Sequence, residues 1–425
     1  MHNVRFLCLP PHYPSLVSWR GGPASARSLL GGAGGGPLGV YVNVPFCRTK
    51  CSFCYLDVSI LPPGDGGRVA RDFVEGIGLE AGMTGRYFGG RKVSSVYLAG
   101  GTVNLLSGEE LGAVIRAVRN NFSLAPGAQI SMEANPDFFD GKKLDLLAAA
   151  GVSMVMIGVQ TLDQRVLDGA NRRQNAGKVP DAVKLVRAHG IKRVGIDLIC
   201  VLPGQTAEGF MKDVERVAAL RPDQVHLNRY KPVRGRLPEE ERRKNVDAQE
   251  RGFRLLAKRG YKRIDEDSAV LDVKVFNAQG DPDFQLSADV VGLGPGAMSR
   301  VRGRSRYQNF SGLGEYLAAL RAGRLPVMRW VRLGPADEAA HYALTRLLDL
   351  RRVDAAALAG LFGLAAASLV LRRLGPLARS GLVKKRAGGY EAARDGDGFC
   401  AGPYEITRAL YEKKYLEAAA RNYGL

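Results

Sequence analysis

The chain has 425 residues, enough for on the order of two or three domains with a real hydrophobic core. Its 46% hydrophobic and 24% charged residues are those of a folded protein and exclude a disordered tail or a fibre. Lys and Arg number 61 against 42 Asp and Glu, and the net charge of +19 points to anionic partners: nucleic acid, an acidic redox protein or a carboxylate-rich substrate. Six Cys are too few for a disulfide framework in a chain of this size, and three of them sit together, so a reduced, cytoplasmic setting is expected. No apolar run approaches the roughly 20 residues of a membrane span, since residues 147–159 are interrupted by Gly151 and Ser153. Phe6 to Leu9, cut off by Pro10 and Pro11, lack the basic start and long core of a signal peptide.

Residues 1–36 are rich in Pro and Gly and end in Gly31-Gly32-Ala33-Gly34-Gly35-Gly36, which reads as a flexible arm. From Gly39 onward, β-branched runs alternate with helical patterns, as in parallel strands joined by crossover helices. The spacing predicts strands over 40–44, 94–98, 129–133, 154–158, 193–199 and 224–227. Helices are predicted near 71–84, 108–121, 142–150, 180–189 and 208–220. Ser107 with Glu110 makes a capping box, and Asp140 and Thr206 precede their helices. Six βα units in succession predict an α/β fold with an open or complete barrel, whose functional groups gather at the C-terminal strand ends. After the Arg- and Glu-rich residues 238–244 comes Val290-Val291-Gly292-Leu293-Gly294-Pro295-Gly296-Ala297, a strand running into a Gly-rich turn. Beyond about residue 332 the sequence turns to Ala, Leu and Arg at helical spacing. The expected domains are the arm at 1–36, a core at 37–330 and a small, mostly helical domain at 331–425.

Directly after the first strand, Pro45-Phe46-Cys47-Arg48-Thr49-Lys50-Cys51-Ser52-Phe53-Cys54-Tyr55 places three thiols on one loop, spaced Cys-x3-Cys-x2-Cys. Three thiolates hold three irons of a [4Fe-4S] cubane and leave the fourth iron open to a small molecule. A zinc knuckle is the structural alternative, but it wants four ligands and no Cys or His lies nearby to complete the set. Three unrelated buried cysteines is the blander one.

The spacing, the flanking aromatics and the position after the first strand resemble the radical S-adenosylmethionine superfamily. Tyr41-Val42-Asn43-Val44-Pro45-Phe46-Cys47 is similar to the entry motif of its oxygen-independent coproporphyrinogen III oxidase-like subfamily. The likeness continues through Gly100-Gly101-Thr102, Glu133, Gly158-Val159-Gln160, Asn171-Arg172, Asp197-Leu198-Ile199, Leu202-Pro203-Gly204-Gln205-Thr206 and Gly292-Leu293-Gly294. It implies a partial (βα)6 TIM-like barrel in which Cys47, Cys51 and Cys54 bind a [4Fe-4S] cluster. The open iron then chelates S-adenosylmethionine, and reductive cleavage yields a 5′-deoxyadenosyl radical that takes hydrogen from a substrate.

The resemblance implies cofactor contacts by Tyr41, Phe53, Gly100, Gly101, Thr102, Glu133, Gln160, Arg172 and Asp197. The residue types suit that role: Gly100 and Gly101 allow close backbone approach, and acids such as Glu133 and Asp197 in apolar strands need a cationic or hydrogen-bonding partner. Structural ion pairing, for instance of Glu133 with Arg172, is the alternative. Some subfamily members bind a second S-adenosylmethionine, which Ile199, Lys231 and Met298 would line here. Lys231 and Met298 depart from the small apolar and branched aliphatic residues expected, and Asn43 replaces a His common in the entry motif.

Arg300, Arg302, Arg304 and Arg306, and Arg229, Lys231, Arg234 and Arg236, are basic runs placed to meet substrate carboxylates or simply to face solvent. His226 and His189 read as structural histidines, and Cys8, Cys200 and Cys400 as apolar fillers. The basic C-terminal helices match no nucleic-acid reading motif. The +19 surplus therefore suits an acidic electron donor such as flavodoxin or ferredoxin and a small carboxylated substrate. Tyr55-Leu56-Asp57 stands where coproporphyrinogen dehydrogenases carry a further Cys, so the sequence reading puts radical methyl transfer or a related C–C bond step ahead of porphyrinogen oxidation. A haem-binding chaperone is the alternative of another class. The His-Asn pair and the following Tyr-Trp of that branch are not visible in the sequence.

Overall fold

The computed structural model describes residues 19–32, 34–61, 66–233, 237–273, 287–348, 351–393 and 403–410. Cys8, Cys400, Arg234 and Arg236 lie outside them. The chain divides into two compact units, one of Gly35–Ser299 with Gln308–Pro326, the other of Met1–Gly34, Arg300–Tyr307 and Val327–Leu425.

Six parallel strands organise the first unit: β1 (Leu38–Val44), β2 (Lys92–Gly100), β3 (Ser123–Ala134), β4 (Met154–Gln160), β5 (Arg193–Cys200) and β6 (Gln224–Arg229). They pair in chain order. Each crossover carries a helix: α1 (Gly66–Gly85), α2 (Gly108–Asn121), α3 (Gly141–Ala149), α4 (Gln164–Gly169) with α5 (Val179–Ala188), and α6 (Ala207–Ala219). A seventh strand, β7 (Asp289–Leu293), joins parallel to β1 on the side away from β2. Beyond β6, Ser268–Val270 and Lys262–Arg263 add antiparallel. This is the partial (βα)6 barrel expected from the sequence. The strands run a few residues longer than the β-branched runs alone suggest, and α4 was not foreseen.

Alternation along the strands sorts the side chains. Val40 and Val42 on β1, Val96 and Leu98 on β2, Ile130 and Met132 on β3, Ile196 and Leu198 on β5, and Val225 and Leu227 on β6 are all buried. Burying each such side chain stabilises the fold by about 1.5–3 kcal/mol. With a period of two, Tyr41, Asn43, Tyr97, Glu133, Asp197, Ile199 and His226 occupy the opposite strand face. Helix starts follow the sequence signals. Ser107 Oγ accepts from Glu110 N while Glu110 Oε2 accepts from Ser107 N, and Asp140 and Thr206 cap α3 and α6. The Leu202-Thr206 motif is a brace: Gln205 Nε2, Thr161 Oγ1 and Leu162 N all donate to Asp213 Oδ2, at 2.8, 2.6 and 3.1 Å.

In the second unit, α-helix Pro335–Leu348, strand Val353–Asp354, helices Ala355–Phe362 and Leu364–Arg379, and strands Val383–Arg386 and Gly389–Ala392 follow in order. The three strands form an antiparallel sheet. The N-terminal stretch read as an arm contributes strand Arg20–Gly21, paired with Arg329 and Trp330, and helix Ala26–Leu30, whose Leu29 O accepts from Ser305 Oγ at 2.8 Å. Side-chain capping by Ser25 starts that helix despite the glycines after it. The unit boundaries thus fall elsewhere than at 36 and 330, because the strand near residue 330 and the stretch at 300–307 pair with the N-terminal segment. Arg300 lies 3.7 Å from the buried Glu338, Arg304 donates to Arg27 O at 2.9 Å, and Arg306 is buried with Nη2 3.1 Å from His341 Nδ1. These arginines brace the second unit. Among the described residues, no helix is long and apolar enough to cross a membrane.

A buried acid supports the turn after β7. Glu80 on α1 accepts from Gly294 N (2.8 Å), Tyr316 Oη (2.7 Å) and Asn309 Nδ2 (2.7 Å), and burial pushes its carboxyl up to about 7 against those three bonds. A carboxyl raised in the folded state favours folding below its unfolded value, and that contribution is lost as pH rises through about 7. Glu80→Ala strands three buried donors. Urea unfolding followed by circular dichroism is expected to show a loss of about 3 kcal/mol, the order of several unsatisfied buried groups. An unshifted transition would refute this role.

Candidate active site

The cysteine loop leaves β1 at Pro45 and is held from both sides by backbone bonds. Ser59 N donates to Pro45 O (2.7 Å) and Leu61 N to Cys47 O (2.9 Å). On the other side Ser52 N donates to Ala170 O (2.9 Å) and Asn171 Nδ2 to Lys50 O (2.8 Å). Asn171 sits at φ 52°, the left-handed region that Asn tolerates better than most residues. All three thiols are half-buried. Burial pushes the Cys47 thiol up, opposed by the Thr102 hydroxyl, whose Oγ1 donates to Cys47 Sγ at 3.6 Å.

The end of β2 fits under this loop because it lacks side chains. Gly101 N donates to Val44 O at 2.8 Å and Thr102 N to Phe46 O at 2.6 Å. A Cβ on Gly101 would sit 2.5 Å from Phe46 O, and one on Gly100, at φ 114°, would strike Asn43 Oδ1. Gly100 N in turn donates to Glu133 Oε2 at 3.4 Å, and Tyr97 Oη donates to Glu133 Oε1 at 2.8 Å. Glu133 is pushed up to about 7 by burial and then by the nearby charge of Asp197.

Asp197 lies beside Gly158 in the β4–β5 ladder and is raised by burial, with His226 and Arg172 opposing. Its Oδ1 is covered from solvent and accepts no hydrogen bond, although His226 Nδ1 stands 3.1 Å away. Arg172 serves the thiols and the acids together. Its Nη1 donates to Cys51 Sγ at 3.9 Å, its Nη2 to Gly158 O, and its Nε to Gln174 Oε1 at 2.9 Å. Its charge lowers both Glu133 and Asp197. Gln160, at φ 68°, ends β4, and a Cβ on Gly158 would lie 3.0 Å from its Nε2. The two acids outnumber the one guanidinium, so this end of the barrel suits a cation.

The alternative pairing of Glu133 with Arg172 is not what forms: Tyr97 and Gly100 take the carboxylate, and Gly158, Gln174 and Cys51 take the guanidinium. Phe53, Ile199 and Met298 are half-buried and Lys231 is exposed. Ile199 follows Asp197 on the same strand face, and Met298 packs its backbone against Gly292. Arg229 forms an ion pair with Glu266. Cys200 is buried, and its thiol is pushed up by that burial. His189 pairs with Asp145 at 2.7 Å, whereas His226, read as structural, stands at the site beside Asp197. Tyr97 escaped the sequence reading, and only its place one strand from Tyr41 in the ladder would have disclosed it.

Among the described residues no group of three or more His, Cys, Asp or Glu is arranged to hold one metal ion. A cubane differs in that each thiolate binds its own iron. Residues 41–217 match the model of the Radical SAM superfamily. That stretch is thus similar to a radical SAM domain. Radical SAM proteins use a [4Fe-4S] cluster and S-adenosylmethionine, and the donor set fits both: three half-buried thiols on one loop, and the acids Glu133 and Asp197, the second with an Oδ1 that accepts no hydrogen bond.

The chain is 34% identical over 197 residues to the heme chaperone HemW of Mycobacterium tuberculosis, 46% of this chain and 50% of that protein. The chain thus spans about half the length of that relative. It is 28% identical over 336 residues to the oxygen-independent coproporphyrinogen III oxidase of Pseudomonas aeruginosa, 74% of this chain and 72% of that one. The solved coproporphyrinogen III oxidase (HemN) of Escherichia coli shares the fold, with a TM-score of 0.72 and 24% identity over 88% of this chain and 90% of that one.

The raised carboxyls give this site a pH dependence. S-adenosylmethionine carries a sulfonium and an ammonium against one carboxylate, so it favours ionised Glu133 and Asp197. Equilibrium dialysis of the cluster-loaded protein is expected to show binding tightening severalfold from about pH 6 to about pH 8. Glu133→Gln should flatten most of that rise, and an unchanged profile in the variant would assign the titration elsewhere.

Proposed function

We propose that this chain is an enzyme of the coproporphyrinogen III oxidase-like kind, acting by hydrogen abstraction on a carboxylated organic substrate of the tetrapyrrole class. The observation that carries the reading is the clamping of Cys47, Cys51 and Cys54 over the same strand ends that present Glu133, Asp197 and Arg172. When bound, the reduced cluster and S-adenosylmethionine supply the 5′-deoxyadenosyl radical.

Cys47, Cys51 and Cys54 hold the irons, and Thr102 and Arg172 donate to two of those sulfurs. Glu133 and Asp197 hold the cationic groups and hydroxyls of S-adenosylmethionine. Tyr41, Phe53, Gly100, Gly101, Gln160 and Arg172 complete the seat, and Ile199 and Met298 line the space next to it. The surplus of basic residues favours an acidic electron donor, flavodoxin or ferredoxin in kind.

The names of the relatives put tetrapyrrole chemistry ahead of the radical methyl transfer favoured by the sequence reading. Tyr55, in the position after Cys54, sets the chain apart from the pattern with a further Cys there. The likeness to HemW favours a second reading, haem delivery without turnover.

Anaerobic reconstitution followed by dithionite and S-adenosylmethionine separates these. The enzyme reading expects 5′-deoxyadenosine, with faster release when coproporphyrinogen III is added, and loss of both product and iron in Cys47→Ala, Cys51→Ala or Cys54→Ala. An intact cluster that yields no 5′-deoxyadenosine, together with a Soret band on haem addition, would overturn it in favour of the chaperone.

A further inference from the structure

Asn43 stands where the entry motif commonly carries His, and its hydrogen bonds run in one direction only. Its Nδ2 donates to Pro295 O at 2.6 Å. A carbonyl oxygen can only accept, so the amide orientation is fixed with Oδ1 on the other side. There Oδ1 meets Tyr41 Oη at 3.1 Å. An amide oxygen also only accepts, so the Tyr41 hydroxyl proton is committed to Asn43.

The surroundings hold this arrangement. Pro295 O is placed by the turn after β7, where Gly294 N donates to the buried Glu80 and Gly296 N to Phe310 O at 2.8 Å. Gly100 and Gly294 are shaped around Asn43: a Cβ on the first would strike its Oδ1, and one on the second would lie 2.5 Å from its backbone O. Tyr41 shares its strand face with Asn43 and stands beside Tyr97, ring centroids 6.2 Å apart, which itself donates to Glu133.

We propose that Asn43 is a positioning residue that fixes the polarity of Tyr41, so that Tyr41 Oη offers lone pairs, not a proton, to an N–H or O–H donor of S-adenosylmethionine. This rests on the proposed seat for that cofactor and adds to it a direction. A histidine at residue 43 could accept or donate and would leave the phenol free to turn. The amide removes that freedom, and with it any path for Tyr41 to deliver a proton into the site while the bond to Asn43 stands.

A double-mutant cycle tests the coupling. S-adenosylmethionine affinity is measured by equilibrium dialysis on cluster-loaded wild type, Tyr41→Phe, Asn43→Ala and the double variant, each with its iron content. Tyr41→Phe is expected to weaken binding about tenfold and Asn43→Ala about fivefold, with the double variant no weaker than Tyr41→Phe. Losses that multiply would overturn the proposal, since Asn43 would then act independently of Tyr41. Wild type that takes up iron but binds no S-adenosylmethionine would instead refute the seat itself. Raman difference spectra of wild type against Tyr41→Phe give a readout that does not depend on the Asn43 variant folding. The tyrosine doublet should report a donor-only phenol before the cofactor is added, and a phenol that both donates and accepts afterwards. A phenol that accepts in the free protein would overturn the assignment.

Discussion

Everything at this site depends on the contact between the ends of β1 and β2. The ladder from Leu38 to Val44 continues past the strands, because Gly101 N and Thr102 N reach Val44 O and Phe46 O. That approach is possible because Gly100 and Gly101 carry no Cβ. It turns the segment after β1 back across the barrel end, which places Cys47 beside Thr102 and brings Cys51 under Arg172. The bonds to Ala170 and from Asn171 close the loop from the far side. The thiols are thus positioned by backbone geometry rather than by their own packing, as befits groups that must stay available to a cluster.

A second constraint is electrostatic. Two acids share a half-buried barrel end with one guanidinium, and burial raises both acids. An uncompensated charge there costs free energy, and a cationic ligand relieves it. Arg172 keeps the balance workable by touching a thiol and facing both carboxylates, while Tyr97 and Gly100 donate to Glu133. The chemistry assigned to the cluster and the chemistry assigned to the acids therefore meet at one residue, on the loop that also clamps the cysteines.

Much of this was legible in the sequence. Residue alternation and β-branched runs locate the six strands because parallel strands bury one face of Val, Ile and Leu, and the Ser107, Asp140 and Thr206 caps form as their side chains suggest. The Cys-x3-Cys-x2-Cys loop is local and so was plain. What escaped depends on contacts across the fold. Nothing near Glu133 in sequence says that Tyr97 and not Arg172 will bond it. The alternating Arg300 to Arg306 looks like a basic mouth until Glu338 and His341 are seen to receive two of its members. Asn43 and Pro295 are far apart in the chain, so the directed bond between them is visible only once β7 lies beside β1.

The central claim is that Cys47, Cys51 and Cys54 hold a cluster with one iron open to S-adenosylmethionine. Electron paramagnetic resonance of the anaerobically reduced protein tests it most directly. The account predicts a reduced-cluster signal whose shape changes on adding S-adenosylmethionine and which vanishes when any of the three thiols is replaced. A signal that ignores S-adenosylmethionine, or that survives loss of one of these cysteines, would contradict it.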